Sequence, residues 1–137
     1  MTRQVLHVRV SKRGKKYLAG SRDYKGILRK AIGEAREYSK KNKDKVGWFP
    51  AGFASIRLDW KDFEHRKLAT TIRKNPEFGN VGRAYGGGLS WDFKLDPSVE
   101  GSPMMQSMFL RKESYEQAVK VLEKHGFRDI WVKTSID

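Results

Sequence analysis

The stretch RDYKGILRKAIGEAREYSKK, residues 22–41, contains the clearest periodic pattern of this chain. Its apolar residues recur at spacings of three and four, which is the spacing of one face of an α-helix. The pattern predicts a long amphipathic helix with one apolar face, formed by Tyr24, Ile27, Leu28, Ala31, Ile32, Ala35 and Tyr38.

Strands are expected on both sides of this helix. Before it, residues 4–10 alternate apolar and polar side chains, and after it residues 54–60 follow an aromatic segment interrupted by Gly and Pro. Residues 89–95 also alternate, and we expect residues 105–111 to pair with them across a loop. A closing strand is predicted at residues 130–133.

Two further helices complete the pattern. The first covers residues 62–74 and ends before Pro76, which cannot continue a helix. The last begins near Ser114, where the sequence resembles a capping box, and ends at Gly126 followed by Phe127, a pair typical of a glycine C-cap. The order β-α-β-α-β-β-α-β predicts an α+β fold, a two-layer sandwich in which about three helices cover one face of a mostly antiparallel sheet.

Size and composition narrow the class of protein. A chain of 137 residues is long enough for one hydrophobic core, so we predict a single domain over residues 1–137. The chain contains no cysteine, which excludes disulfides, thiolate nucleophiles and cysteine zinc sites. No segment has the apolar length of a membrane span or a signal peptide, so we expect a cytoplasmic protein. We also expect that it binds no metal and no cofactor.

The positive charge is concentrated in one part of the chain. Residues 1–50 contain 15 Lys or Arg against 4 Asp or Glu, whereas residues 51–137 contain 14 against 12. A field polarised in this way attracts anionic partners, and counterion release strengthens binding to DNA or RNA. We therefore predict that the basic N-terminal region binds a polyanion, with nucleic acid as the preferred partner.

The cations of the first predicted helix form a stripe. At 100° per residue they fall within an arc of about 60° beside the apolar face, whereas the acids of the helix occupy another sector. Such a stripe can follow successive phosphates. Gly26 and Gly33 lie at its border, where the absence of a side chain would let a phosphate backbone come close. The stripe consists of Arg22, Lys25, Arg29, Arg36 and Lys40.

Two loops extend the predicted binding surface. A basic turn at Lys12, Arg13, Lys15 and Lys16 adds four cations before the helix. Further along, Gly79-x-x-Gly82 followed by Arg83 resembles the backbone-clamping loop of KH domains, a resemblance that implies phosphate contact by Arg83.

Aromatic side chains next to lysines suggest a way to hold bases. Trp48, Phe49 and Phe53 directly follow a lysine-rich run at residues 40–45, so bases could stack on these rings while the lysines hold the backbone. The alternative for the same residues is packing at the corner between two elements.

Catalysis has one sequence argument in its favour. Asp59, Asp92 and Lys94 resemble the two acids and the lysine of PD-(D/E)xK nucleases, in which the acids hold Mg²⁺ and the lysine assists the attacking water. The proline before the first acid is absent. The three histidines show no metal-ligand spacing.

The sequence therefore favours a non-catalytic nucleic-acid-binding protein. One alternative is a small inhibitor or adaptor that covers an acidic protein partner. Another is a phage virion or assembly component, because the helix and the segment VGWFPAGF, residues 46–53, resemble those of phage neck and tail-completion proteins. The metal-dependent nuclease is the remaining alternative.

Overall fold

The computed structural model describes residues 6–10, 16–20, 22–44, 52–84, 86–100 and 108–136. These residues form six strands, three α-helices and one short 3₁₀ helix. In chain order the elements are β1 (Leu6–Val10), β2 (Lys16–Gly20), α1 (Tyr24–Asn42), β3 (Gly52–Leu58), α2 (Phe63–Lys74), the 3₁₀ helix (Pro76–Phe78), β4 (Asn80–Arg83), β5 (Leu89–Asp92), α3 (Met108–Lys124) and β6 (Trp131–Ile136).

The strands belong to two sheets. Strands β1 and β2 pair with each other as an antiparallel hairpin, and the other four form a sheet in the order β4-β5-β3-β6. Every neighbouring pair in this larger sheet is antiparallel. From β3 to β6 the connectivity is β-α-β-β-α-β, the split β-α-β arrangement. The predicted α+β class is confirmed.

The larger sheet has one buried face, here called the inner face. In β3 the side chains of Ala54, Ile56 and Leu58 are buried, and in β5 those of Leu89 and Trp91 are buried. They belong to the same hydrophobic cluster as the buried residues of all three helices, so the helices lie on this side of the sheet. The prediction that the helices cover one face is confirmed.

Helix α1 agrees closely with its sequence prediction. Its buried residues are five of the seven predicted apolar ones together with Ser39. The helix begins after Asp23, whose carboxylate accepts a hydrogen bond from the Gly26 N–H at 2.9 Å, the usual way of satisfying a free amide at a helix start. Helix α1 packs along α3 and also contacts α2, whereas α3 contacts β3 and β6.

The predicted partner of β5 is wrong. The part of residues 105–111 that the structure describes, Met108–Arg111, is the first turn of α3, and β5 pairs instead with β3 and β4. The capping box at Ser114 is also wrong, because Ser114 lies inside α3 and its hydroxyl donates to the Leu110 carbonyl at 2.7 Å. Buried side chains at Leu110, Ser114 and Tyr115 follow helical spacing, which overrides the local capping signal.

Two strands were missed from the sequence. Strand β2 follows the predicted basic turn, and β4 lies within the Gly-rich stretch that was expected to be a loop. Strand β4 is an edge strand of four mostly exposed residues. A segment this short carries no recognisable alternation, because Val81 is the one apolar residue of β4 that packs against the core.

The end of α3 was predicted correctly. Gly126 has a φ of 89°, and its N–H donates to the Glu123 carbonyl. The Phe127 N–H reaches the Leu122 carbonyl at 3.1 Å, and Phe127 is buried. These two bonds and the buried ring form a Schellman motif, which directs the chain from α3 towards β6.

A buried tyrosine fixes the end of β5. The Tyr115 hydroxyl donates to the Phe93 carbonyl at 2.6 Å and accepts from the Phe93 N–H at 3.1 Å. Arg111 Nη1 donates a hydrogen bond to the Tyr115 hydroxyl oxygen at 3.1 Å. One side chain of α3 therefore satisfies both backbone groups of a residue just past the strand, and burial raises the pKa of this phenol.

We predict that Tyr115→Phe lowers the free energy of unfolding by about 2–4 kcal/mol, because two buried backbone groups lose their partner. The ring stays in contact with Phe93, whose centroid is 4.6 Å away, so the loss reports the hydroxyl alone. Urea denaturation of the variant and the wild type measures it. A change below about 0.5 kcal/mol would contradict this role.

A second tyrosine joins α1 to α3 near the surface. The Tyr38 hydroxyl donates to Glu113 Oε2 at 2.6 Å, and this bond raises the pKa of Tyr38 from 10.0 to about 12. The folded state therefore holds the proton more tightly than the unfolded state, so the contribution to stability is complete below pH 10 and is lost as the pH approaches 12.

We expect the wild type to lose stability between pH 10 and 12 more steeply than Tyr38→Phe, which has no proton to lose at this position. Denaturation curves of both proteins across this pH range make the comparison. Equal slopes would show that the Tyr38–Glu113 bond does not contribute to stability.

Candidate functional site

Four cations of the predicted stripe remain together on one side of α1 in the structure. We call Lys25, Arg29, Arg36 and Lys40 the α1 cation row. Lys25, Arg29 and Lys40 are exposed, Arg36 is half-buried, and none of the four is ion-paired with a described residue. With a rise of 1.5 Å per residue the row is about 22 Å long.

Contacts with the rest of the chain position two of these side chains. The Arg29 guanidinium lies 5.8 Å from the centre of the Phe78 ring, and Arg36 Nε donates to the Lys94 carbonyl at 3.0 Å. These contacts use one ring face and one backbone oxygen and leave the positive charges of both side chains without a counter-ion among the described residues.

Two lysines near the carboxyl end of α1 act on a neighbouring carboxylate. The pKa of Asp96 is lowered, chiefly by hydrogen bonds from Ser98 and further by the charges of Lys40 and Lys43. Lys40 therefore lies close enough to Asp96 to favour its charged form.

Arg22 is separated from the row by an internal contact. Its Nη1 lies 3.4 Å from Glu64 Oε2 on α2, and its guanidinium stacks over Phe127 at 4.8 Å. Only 10% of the Arg22 side chain is exposed. Tyr24 donates to the same Glu64 oxygen at 2.8 Å, and burial together with this bond raises the pKa of Tyr24.

The two glycines beside the row have different surroundings. A Cβ on Gly26 would lie 2.3 Å from the Asp23 carboxylate, so this glycine is needed for the N-cap. Nothing lies within 4 Å of the corresponding position at Gly33. Open space beside the row therefore remains only at Gly33.

A groove connects the row with the larger sheet. It has a volume of about 940 Å³ and is lined by Arg36 of the row and by Phe53 of β3, among others. Lys94 and Arg111 add positive charge to its walls, although Arg111 lies 3.6 Å from Glu100. The groove is thus a passage of mixed charge rather than a strong anion site.

The face of the larger sheet opposite the helices, here called the outer face, carries exposed aromatic rings. Phe53 is 66% exposed and Trp131 is 55% exposed, and the register places both on this face. Arg57 is paired with Trp131, and Lys133 lies between the two aromatic positions. Phe53 was predicted as a stacking residue, whereas Trp131 was predicted only as part of the closing strand.

Several of the remaining predicted residues cannot be placed relative to this surface, because Lys12, Arg13, Lys15, Trp48 and Phe49 lie outside the described residues; Lys16 begins β2.

The KH-type clamp at Gly79–Arg83 is wrong, because most of this segment is strand β4 paired with β5. A Cβ on Gly79 would lie 2.1 Å from the Asp92 carbonyl, so Gly79 permits the close approach of two backbones. Arg83 is exposed. It lies at one end of β4, whereas Asn80, which lines the groove, lies at the other.

The two acids of the nuclease pattern lie at opposite ends of the paired strands. Asp59 follows Leu58, which is paired with Leu89, whereas Asp92 is at the other end of β5. Their separation along the strands is therefore about 13 Å. Within the described parts of the chain, no three His, Asp or Glu side chains are grouped so that they could hold a metal ion.

Comparison with known proteins adds no assignment: no protein family, no curated protein and no solved structure matches this chain. Among the described helices, none has both the length and the apolar composition needed to cross a membrane.

We predict that Arg22→Gln lowers the free energy of unfolding by about 1–3 kcal/mol, because Glu64 stays partly buried without its cation. Lys25→Gln is the matched control, since Lys25 is exposed and has no ion-pair partner among the described residues. Thermal or urea unfolding distinguishes the two. Equal stabilities would show that the Arg22–Glu64 contact contributes nothing to folding.

Proposed function

We propose that this protein is a non-catalytic nucleic-acid-binding protein and that the α1 cation row contacts the phosphate backbone. The observation that carries the proposal is the row itself, four cations along one side of a single helix without an ion-pair partner among the described residues. Surfaces that serve only solubility normally mix both signs of charge.

The side chains of the row are suited to binding phosphates. Arg29 and Arg36 offer planar guanidinium groups, which can bind phosphate oxygens through two parallel hydrogen bonds. The length of the row matches an extended polyanion and exceeds what a single small phosphorylated ligand can span. The predicted cytoplasmic location is compatible with DNA or RNA as the partner.

An acidic protein is the alternative partner, and salt separates the two. Phosphate contacts release counterions, so the logarithm of the affinity for nucleic acid falls linearly with the logarithm of the salt concentration. The slope becomes steeper by about 0.7 to 0.9 for each phosphate neutralised. A protein interface depends mainly on buried apolar anchors and changes much less over the same range.

We expect the double variant Arg29→Glu and Arg36→Glu to bind labelled DNA or RNA at least about tenfold more weakly at low salt. Its salt slope should be smaller by about 1.5, because two phosphate contacts are lost. Fluorescence anisotropy titrations at several salt concentrations measure both quantities, with single strands and duplexes tested in parallel.

The matched control is Lys30→Glu with Lys41→Glu. These lysines are exposed on the same helix but lie outside the row, and the change of net charge is identical; Lys41 differs from the row in that its Nζ lies 3.5 Å from Glu37 Oε1. We expect a small, non-specific weakening and an unchanged slope. If both double variants behave alike, net charge rather than the row determines binding, and the proposal is wrong.

A further inference from the structure

The exposed large apolar side chains of the described residues are all aromatic. They are Phe53, Trp60 and Trp131, and two of them, Phe53 and Trp131, lie on the outer face of the larger sheet. Exposed aromatic rings on one sheet face can act as stacking platforms for the bases of an unpaired strand.

The register defines how the two rings are arranged. Phe53 is paired with Ser135 and Arg57 with Trp131, so the two aromatic residues are four positions apart along neighbouring strands. This offset separates their Cα atoms by about 14 Å. The rings are too distant to stack on each other, and each presents its own face.

The positions between and beside the rings are polar: most are cationic or carry a hydroxyl, and Asp92 of β5 adds an exposed carboxylate to this face. Lys133 is paired with Ser55 between the two aromatic positions, and Arg57 lies beside Ser90 in the centre of the sheet. Arg57 Nε is shielded from solvent and has no hydrogen-bond partner among the described residues. Such a group costs stability, so folding alone does not explain an arginine on a central strand.

We propose that the outer face binds single-stranded nucleic acid, with Phe53 and Trp131 as stacking surfaces for two bases and with Arg57 and Lys133 beside the phosphates. The inference rests on the proposed function and specifies the form of the nucleic acid. A duplex hides the faces of its bases, so only an unpaired strand can use the rings.

The composition of the face favours a nucleic acid over a protein. The centre of a protein interface is largely apolar, whereas between and beside the two rings this face presents serines, Lys133, Arg57 and Asp92 and no exposed large aliphatic side chain among the described residues. Isolated rings separated by cations and hydroxyl groups match a strand that alternates flat bases with charged phosphates.

The outer face and the α1 cation row meet at one groove. Phe53 and Arg36 both line it, together with the acids Glu77, Asp92 and Glu100, so a single strand bound at the sheet could reach the row there. The row, with Arg57 and Lys133, would then supply the salt-dependent part of the affinity, and the rings the part that does not depend on salt.

The test uses the full chain with labelled oligothymidine and oligouridine of about 16 nucleotides, and with a DNA duplex of the same length. Phe53→Ala and Trp131→Ala should each weaken binding to the single strands by about 5- to 100-fold. In both variants, the slope of log affinity against log salt concentration and the affinity for the duplex should equal those of the wild type. Trp131→Phe, which keeps an aromatic face, should recover most of the loss.

Trp60→Ala is the matched control, because it removes an exposed tryptophan that follows β3 without belonging to the outer face. An equal loss in this variant, or undiminished single-strand binding in Phe53→Ala and Trp131→Ala, overturns the stacking surface. In the latter case the proposed function survives if the row variants still weaken binding. If the wild type binds none of the three probes, both the stacking surface and the proposed function are wrong. Both are also wrong if Trp131 binds a protein and the chain does not bind single strands.

Discussion

Burial of the inner face of the sheet under three helices is the constraint on which the rest of this structure depends. Ile56 on β3 is fully buried, and its partners across the sheet are Trp91 and Val132. Because side chains alternate along a strand, the same register that buries these residues turns Phe53, Arg57 and Trp131 to the opposite face. The candidate base-binding surface is therefore a direct geometric consequence of core packing.

Specific polar contacts then hold α1 in place over this core. Tyr24 reaches Glu64 on α2, and Tyr38 reaches Glu113 on α3. Burial of the apolar face of α1 fixes the rotation of the helix about its axis, because the side chains of a helix have fixed relative directions. These hydrogen bonds, together with that of Arg36 to the Lys94 carbonyl, hold the helix in the orientation in which Arg36 lines the groove.

The proposed interface combines two kinds of interaction with different physics. Cations on α1 act at a distance, are weakened by salt and do not distinguish one base from another. Aromatic rings on the sheet act only in contact, resist salt and require an unpaired base. A protein with both would bind single strands with little sequence preference. The split β-α-β arrangement alone does not imply this activity, because the same connectivity supports unrelated functions.

The sequence by itself determined two of the helices, the end of the third and the α+β class. Helix α1 could be predicted because its apolar residues repeat with the helical period over five turns, and α2 because Asp62 and Pro76 mark its ends. The cation row followed from the same periodicity, since one helix sets the relative directions of its own side chains.

Only the tertiary structure decided which strands pair and which cations are free. Strand β4 is too short and polar to be recognised alone, and residues 108–111 join a helix because their burial against the core outweighs the local pattern. Arg22 has the same spacing as the row, yet Glu64, distant in the sequence, draws it inwards. Trp131 and Phe53 share a face only because β6 pairs with β3. Contacts between distant segments leave no periodic signal in a single chain, so the outer face was visible only in three dimensions.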